Sequence, residues 1–210
     1  MMPAKPAAGG GRWADVEPRR LRRWLDGFYS RHDGAEEEGL KLVAANGDTA
    51  ELLPPPGVGP VADVDALLEA LAVPRRLGLL LARRNAVAVG VADGDELISS
   101  KVDTFYVQGR TAAGGWSQQR YARRRENQAS GAARDAADIA ARILLPYADS
   151  MAALVCGGDR STVDEILTDR RLAPLLPLRH ERLLDVPEPR HAVLVEAIPA
   201  AHTIRIHLVP

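Results

Sequence analysis

Two short apolar runs, held apart by three polar residues, constrain this chain most. Residues 77–82 and 86–92 are almost wholly Leu, Val, Ala and Gly, and Arg83-Arg84-Asn85 lies between them. Runs of this length and composition read as buried strands, so the pair opens a β-meander. Asp93-Gly94-Asp95 supplies the next turn, and residues 96–107 continue as a strand pair or one bent strand. Aromatic residues are only 4% of the chain, so the core has to be built from Leu, Val, Ile and Ala. The longest expected helix follows, roughly 118–145, stopped by Pro146. Its apolar seam is nearly all alanine: Ala129, Ala133, Ala136, Ala137 and Ala140, with Ile139 and Ile143. Small side chains let such a helix lie close to a sheet.

Upstream, Pro18 suits a first helical position. Leu21, Trp24, Leu25 and Phe28 then recur at helical spacing, with Arg19, Arg20, Arg22 and Arg23 on much of the remaining surface. Residues 40–44 and 49–53 flank Asn46-Gly47, a hairpin signal. Pro54-Pro55-Pro56-Gly57 is the best internal boundary, and 63–72 reads as a helix stopped near Pro74. Downstream, 151–156 reads as a buried strand ending in Gly157-Gly158. Ser161 is expected to cap a helix over 162–167, with Asp164 and Glu165 near its start. Residues 172–178 are broken by proline, and 191–198 and 203–209 read as two closing strands. The expected fold class is α/β (α+β), a mixed sheet with flanking helices. Three segments are expected: a disordered Pro-, Ala- and Gly-rich tail over 1–11, a helix plus β-hairpin over 12–56, and the main domain over 57–210.

Composition narrows the function. The 210 residues carry 27 basic and 28 acidic side chains, a net charge of -1, which excludes a uniformly basic nucleic-acid binder but leaves room for a local basic patch. Of the basic residues 24 are arginine, a bias that GC-rich codons alone would produce, so an arginine cluster is not by itself a site. Cys156 is the sole cysteine, which excludes an internal disulfide framework and a multi-cysteine zinc site, and core packing is its expected role. His32, His180, His191, His202 and His207 are scattered, although His202 and His207 could share a terminal ribbon; no metal or organic cofactor is expected. Trp13 and Trp24 read as core or staple residues. No apolar run reaches the roughly 18 residues of a membrane span, and the start of the chain lacks the apolar stretch of a signal peptide. A cytoplasmic protein with no membrane partner is expected.

The informative stretch runs from Lys101 to Arg134. It holds seven basic residues against Asp103 and Glu126, a net +5 inside a chain of net -1. That asymmetry points to a polyanion. Arg120, Arg123 and Arg124 fall on one helical face by their spacing. Trp116 and Tyr121 are interleaved with the arginines, and guanidinium groups beside rings suit phosphates beside unstacked bases. The bland alternative is a solvated helix face. Ahead of the helix lies a polar loop from Gly109-Arg110 to Gly114-Gly115-Trp116-Ser117-Gln118-Gln119. It contains no carboxylate and no histidine, so a strong side-chain base is not on offer there. It does offer amides and backbone N–H groups, which can place a water and stabilise an oxyanion. Gly157-Gly158-Asp159 lacks the Walker and dinucleotide patterns and reads as a plain strand-to-helix turn.

Gly-Gly-x-Ser-Gln followed by Arg120-Tyr121-Ala122-Arg123-Arg124-Arg125 resembles the catalytic domain of eukaryotic and archaeal peptide-release factors. There a Gly-Gly-Gln loop runs into a helix beginning Arg-Phe-Ala-Arg-x-Arg. The string is more similar still to the Vms-like release-factor (VLRF) family, in particular an actinobacterial branch of peptidyl-tRNA hydrolases. The close motif covers 109–128. The resemblance implies an RNase-H-like release-factor domain over about 74–210, preceded by the small helix-and-hairpin segment. It implies hydrolysis of the peptidyl-tRNA ester on the large ribosomal subunit, with rRNA and tRNA as partners, no cofactor, and a monomeric protein. The catalytic set it implies is Gln118, then Gln119, with Ser117, Gly114 and Gly115; Arg110, Trp116, Arg120, Tyr121, Arg123, Arg124 and Arg125 would contact RNA. One departure stands out. Aligned without a gap, Trp116 falls where the family has its glutamine; matching Gly-Gly-x-Ser-Gln makes Trp116 an insertion and puts Gln118 there. Two other readings stay open. One is a non-catalytic rRNA- or tRNA-binding assembly or recycling factor. The other is an RNase-H-like nuclease, which needs clustered carboxylates that this sequence does not offer.

Overall fold

The structure is a computed structural model that describes residues 5–6, 10–105 and 117–210; in the helix that begins at Ser117, side chains are described from residue 131 onward. The chain divides into two compact units, Met1–Pro74 with Pro199–Pro210, and Arg75–Ile198. The break falls at Pro74 and not at the Pro54-Pro55-Pro56-Gly57 run. Pro55 and Pro56 are buried inside the first unit, where Val58 N donates to Pro55 O at 3.1 Å and closes a turn.

In the first unit, β1 (Lys5–Pro6) pairs antiparallel with β2 (Arg12–Val16). Part of the tail expected to be disordered is therefore a short strand; residues 1–4 and 7–9 lie outside the described residues. A 3-10 turn over Pro18–Arg20 leads into α1 (Leu21–Arg31), with Pro18 at its first position as expected. The apolar stripe is the buried face: Leu21, Leu25 and Phe28 are at most 4% exposed. β3 (Ala35–Glu38), β4 (Lys41–Ala44) and β5 (Thr49–Leu53) form an antiparallel run. The β4–β5 turn is the expected Asn46-Gly47. Gly47 sits at φ +92°, and Asn46 Oδ1 accepts from Asp48 N at 3.1 Å. α2 (Val64–Ala72) is capped by Asp63, whose side chain accepts from Ala66 N at 2.8 Å.

The second unit holds the meander: β6 (Arg76–Arg83), β7 (Ala86–Asp93) and β8 (Glu96–Thr104), all antiparallel. α3 (Ser117–Leu144) follows, then a 3-10 segment over Leu145–Ser150 and β9 (Ala153–Gly158), parallel to β6. α4 (Arg160–Leu167), a 3-10 segment over Arg170–Leu178 and β10 (Arg179–Leu184), parallel to β9, complete a sheet in the order β10-β9-β6-β7-β8. The sheet is mixed, as expected: antiparallel across β6, β7 and β8 and parallel across β6, β9 and β10. Alternation on the strands assigns the faces. Leu80, Ala82, Val87, Val89, Val91, Leu154 and Cys156 form one core with α3 and α4. On the other face, a Cβ at Gly90 would stand 2.9 Å from Leu194 Cδ2, so glycine lets α5 (His191–Ala201) lie close to β7. β11 (Ile204–Val209) returns to the first sheet between β2 and β5, giving β1-β2-β11-β5-β4-β3. Its Ile204 and Ile206 join Leu42, Leu52 and the apolar faces of α1 and α2 in that unit's core.

The structure corrects several expectations. Residues 191–198, read as a strand, belong to helix α5. The buried positions are Leu194, Ala197, Ile198 and Ala201, a helical spacing that the valines between them disguised. Ser161 is not a cap: α4 begins at Arg160, and Asp159 occupies the cap position, so no acidic residue lies in the first turn. Asp159 makes no side-chain cap bond; its carboxylate faces Arg83 instead, at 3.4 Å. β2, β3 and β10 were not anticipated. The strand expected over 151–156 begins two residues later, at Ala153, because Met151 still belongs to the preceding turn through its N–H to Tyr147 O at 3.0 Å.

Candidate functional site

The expected catalytic and RNA-contacting residues fall on one connection, from the end of β8 into α3. Arg110, Gly114, Gly115 and Trp116 lie outside the described residues, as do 106–109 and 111–113. Ser117, Gln118, Gln119 and Arg120 form the first turn of α3, and Tyr121, Arg123, Arg124 and Arg125 the next two turns. The first four N–H groups of an α-helix have no partner within it, and here they belong to Ser117 through Arg120. The first turn carries no acidic residue to compensate the positive end of the helix. It is suited to negative charge.

Packing fixes where the described half of α3 stands relative to the sheet. Leu144, at the end of α3, lies over the start of β6: a Cβ at Gly78 would be 3.3 Å from its Cδ2. Ala132 and Ala133 lie at the other edge, in a small recess lined also by Arg83, Ala86 and Phe105, where β6 and β8 end and β7 begins. The eleven-residue step from Ala133 to Leu144 covers about 17 Å of helix axis, and the five-residue step from Gly78 to Arg83 covers about the same length of strand. The sheet is used up by Ala133. Ser117 lies a further 24 Å or so along the axis, beyond the strand ends if α3 continues in line.

The anchored half of α3 is held by small residues and one arginine. Ala136, Ala137 and Ala140 are at most 1% exposed and Ile139 is 7% exposed, the seam the sequence indicates. Arg171, on the turn after α4, bonds Asp138 Oδ1 at 2.6 Å on α3 and Asp169 at 2.7 Å on its own turn. Asp169 accepts from the Arg171 side chain and backbone, and these bonds pull its carboxyl down to about 2.

The rim beneath the tip draws on three segments. Phe105 N donates to Asn85 O at 2.7 Å, tying the end of β8 to the β6–β7 turn. Arg83 reaches the same rim, donating Nη2 to Val186 O at 2.7 Å and facing Asp159. Gly158 is at φ +90°, and a Cβ there would lie 2.2 Å from Ala82 O, so this strand-to-helix turn requires glycine. Alongside, an open cleft of about 540 Å³ runs between β8 and α3, lined by Lys101, Asp103, Thr104, Phe105, Asp135, Asp138, Ile139 and Arg142. Asn85, Phe105, Asp159 and Arg171 were not singled out as site residues by the sequence; no local pattern marks them, because only the topology brings them together.

The remaining candidates resolve simply. Cys156 is buried at 1% exposure in the core, and burial pushes its thiol from 9.0 up to about 11. His202 is buried just before β11, and His207, within β11, stacks on Trp13 with ring centroids 4.6 Å apart. Trp24 stacks on Phe28 at 5.6 Å. Among the described residues, no three His, Cys, Asp or Glu side chains stand together as metal ligands would, and no helix is long and apolar enough to cross a membrane.

Comparison with known proteins places this arrangement. The sequence is 28% identical over 141 residues to the peptide chain release factor subunit 1 of Archaeoglobus fulgidus, covering 67% of this chain and 35% of that protein. The chain thus spans about a third of the length of this curated relative. A solved archaeal translation termination factor, aRF1, overlays with a TM-score of 0.48 at 17% identity, covering 90% of this chain and 63% of that one. A second solved structure, described as an archaeal protein, gives 0.42 at 13% identity, covering 88% and 62%. The profile of the Actinobacteria/chloroflexi VLRF1 release factors matches residues 75–207, which contain the meander, the loop, α3 and the rim. The chain belongs to the Actinobacteria/chloroflexi VLRF1 release factor family.

Proposed function

We propose that this protein is a peptidyl-tRNA hydrolase that releases nascent chains from stalled large ribosomal subunits. Gln118 places the attacking water at the ester, partly through its backbone, with Gln119 as the second candidate. Gly114 and Gly115 let the loop enter a narrow RNA cavity, and Ser117 completes the turn. Water adds to the ester carbonyl and gives up a proton, and the tetrahedral oxyanion is held by N–H donors. Collapse breaks the ester C–O bond so that the 3′ oxygen of the tRNA takes up a proton and leaves as a hydroxyl, with a peptide acid as the other product. Arg110, Trp116, Arg120, Tyr121, Arg123, Arg124 and Arg125 line rRNA or the tRNA acceptor end.

The observation that carries this reading is the order of the segments: the Gly114-Gly115-Trp116-Ser117-Gln118 string runs straight into the 28-residue helix α3, whose first turn carries no acidic residue. A backbone-rich tip on a long arm suits insertion into a cavity whose walls are supplied by RNA. Family membership supports a role in termination or rescue of translation. Because much of the surrounding would be RNA, the protein alone should be a poor esterase. The test compares release from large subunits carrying a labelled nascent chain with cleavage of the same peptidyl-tRNA free in solution. Fast release on the subunit and little cleavage in solution are expected. Salt-sensitive subunit binding with no release would favour a non-catalytic assembly or recycling factor instead.

A further inference from the structure

The arginines at the start of α1 are placed against the electrostatics of their own helix. Arg19, Arg20, Arg22 and Arg23 are all exposed and sit in the 3-10 turn and first turn of α1, while Leu21 and Leu25 between them are buried. No acidic residue lies in the first turn of α1 and no side chain caps it. A helix start favours anions and disfavours cations, so four guanidinium groups there oppose the helix dipole and repel one another. Coding bias accounts for arginine in place of lysine but not for this position. Several arginines elsewhere stand in bonded pairs: Arg76 with Asp93, Arg83 with Asp159, Arg171 with Asp138 and Asp169, Arg179 with Asp164, Arg190 with Glu188. In α1, Arg20 faces Glu17 at 3.4 Å, with both groups more than half exposed. Arg19 has an interaction of its own, whereas Arg22 and Arg23 make no ion pair among the described residues. From Arg19 to Arg31 there are five arginines against one aspartate, Asp26.

We propose that the exposed arginine face of α1 is a second RNA-binding surface, which grips the phosphate backbone of structured RNA and lies on a different compact unit from the release loop. Charge decides the class of partner. A clustered set of guanidinium groups with few neighbouring acids is complementary to a closely spaced row of phosphates. The absence of an exposed aromatic set on this face favours backbone contact over stacking with single-stranded bases: Phe28 is buried and Trp24 is stacked on it. The surface serves the proposed release activity by adding affinity for rRNA, but it does not depend on that activity being correct.

The test uses the full chain and a labelled RNA hairpin bearing no ester, so it reads nothing from the release reaction. The combined Arg19→Gln, Arg20→Gln, Arg22→Gln and Arg23→Gln variant is compared with wild type across a salt series. Affinity is expected to fall at least tenfold, and the slope of log affinity against log salt to shrink by roughly two to four. The matching four-lysine variant should recover most of that loss, as a phosphate contact allows. The glutamine variant should melt no lower than wild type, since it relieves repulsion at the helix start. Unchanged affinity and slope in a folded glutamine variant would overturn the proposal. So would a loss of vesicle binding to anionic lipid with RNA binding intact, which would assign the face to membranes.

Discussion

At the scale of single residues, two side chains show how burial overrides intrinsic chemistry. Cys156 is a thiol by type but a small core hydrophobe by environment. The native state keeps it protonated to about 11, whereas the unfolded chain ionises it near 9.0. Between those values the unfolded state binds fewer protons, so stability falls as pH rises. The contribution is intact below about pH 9, and on the order of 2–3 kcal/mol is lost by pH 11. Tyr29, whose hydroxyl donates to Glu37, is also raised above its usual range by burial and by that carboxylate, and acts in the same direction from pH 10 upward. Urea denaturation of wild type and Cys156→Ala at pH 8 and pH 10.5 separates the two. The difference in stability between them should shift in favour of Cys156→Ala at the higher pH, and a constant difference would show that the thiol is not held neutral. Gly158 makes the complementary point for backbone: φ +90° and the close Ala82 carbonyl require glycine in the strand-to-helix turn read from the sequence.

At the scale of elements, α3 carries the argument. Its alanine seam brings a long helix close to the sheet, and the close approach aims the tip. Ala140 is fully buried, so Ala140→Leu should overpack the seam and cost about 1–3 kcal/mol in urea denaturation. A helix tilted by a few degrees at its anchored half moves a tip about 24 Å away by an ångström or two, so release should drop further than the fraction folded does. Equal loss of both would make α3 a packing element only. The elements differ in how well the sequence announces them. β6 and β7 were readable because central strands are apolar throughout, β8 because the Asp93-Gly94-Asp95 turn announces it, and α3 because its seam repeats over many turns. β10 begins Arg179-His180-Glu181-Arg182 and β3 is Ala-Glu-Glu-Glu. Both are edge strands with one neighbour, so neither needs an apolar pattern. α5 shows the reverse error, its Val193 and Val195 suggesting a strand while Leu194, Ala197, Ile198 and Ala201 do the packing.

At the scale of the whole molecule, two units are built from interleaved stretches of chain, and β11 returns to the sheet that β1 and β2 began. No local signal reveals such a return, which is why the proline run looked like a domain boundary. The motif that carries the family resemblance was readable because its parts are contiguous from Gly114 to Arg125. The rim of Arg83, Asn85, Phe105 and Asp159 was not, because it is assembled from four strand ends. The division also separates the two proposed RNA contacts, the loop and α3 on one unit and α1 on the other.

The most direct test is a single assay on purified large subunits bearing a labelled peptidyl-tRNA, read twice. Released peptide and protein co-sedimenting with the subunit are measured for wild type, Gln118→Ala and Gln119→Ala. Gln118→Ala is expected to lose release by at least a hundredfold while still co-sedimenting, with Gln119→Ala less affected. Release at the wild-type rate by both variants would contradict the assignment of hydrolysis to this loop.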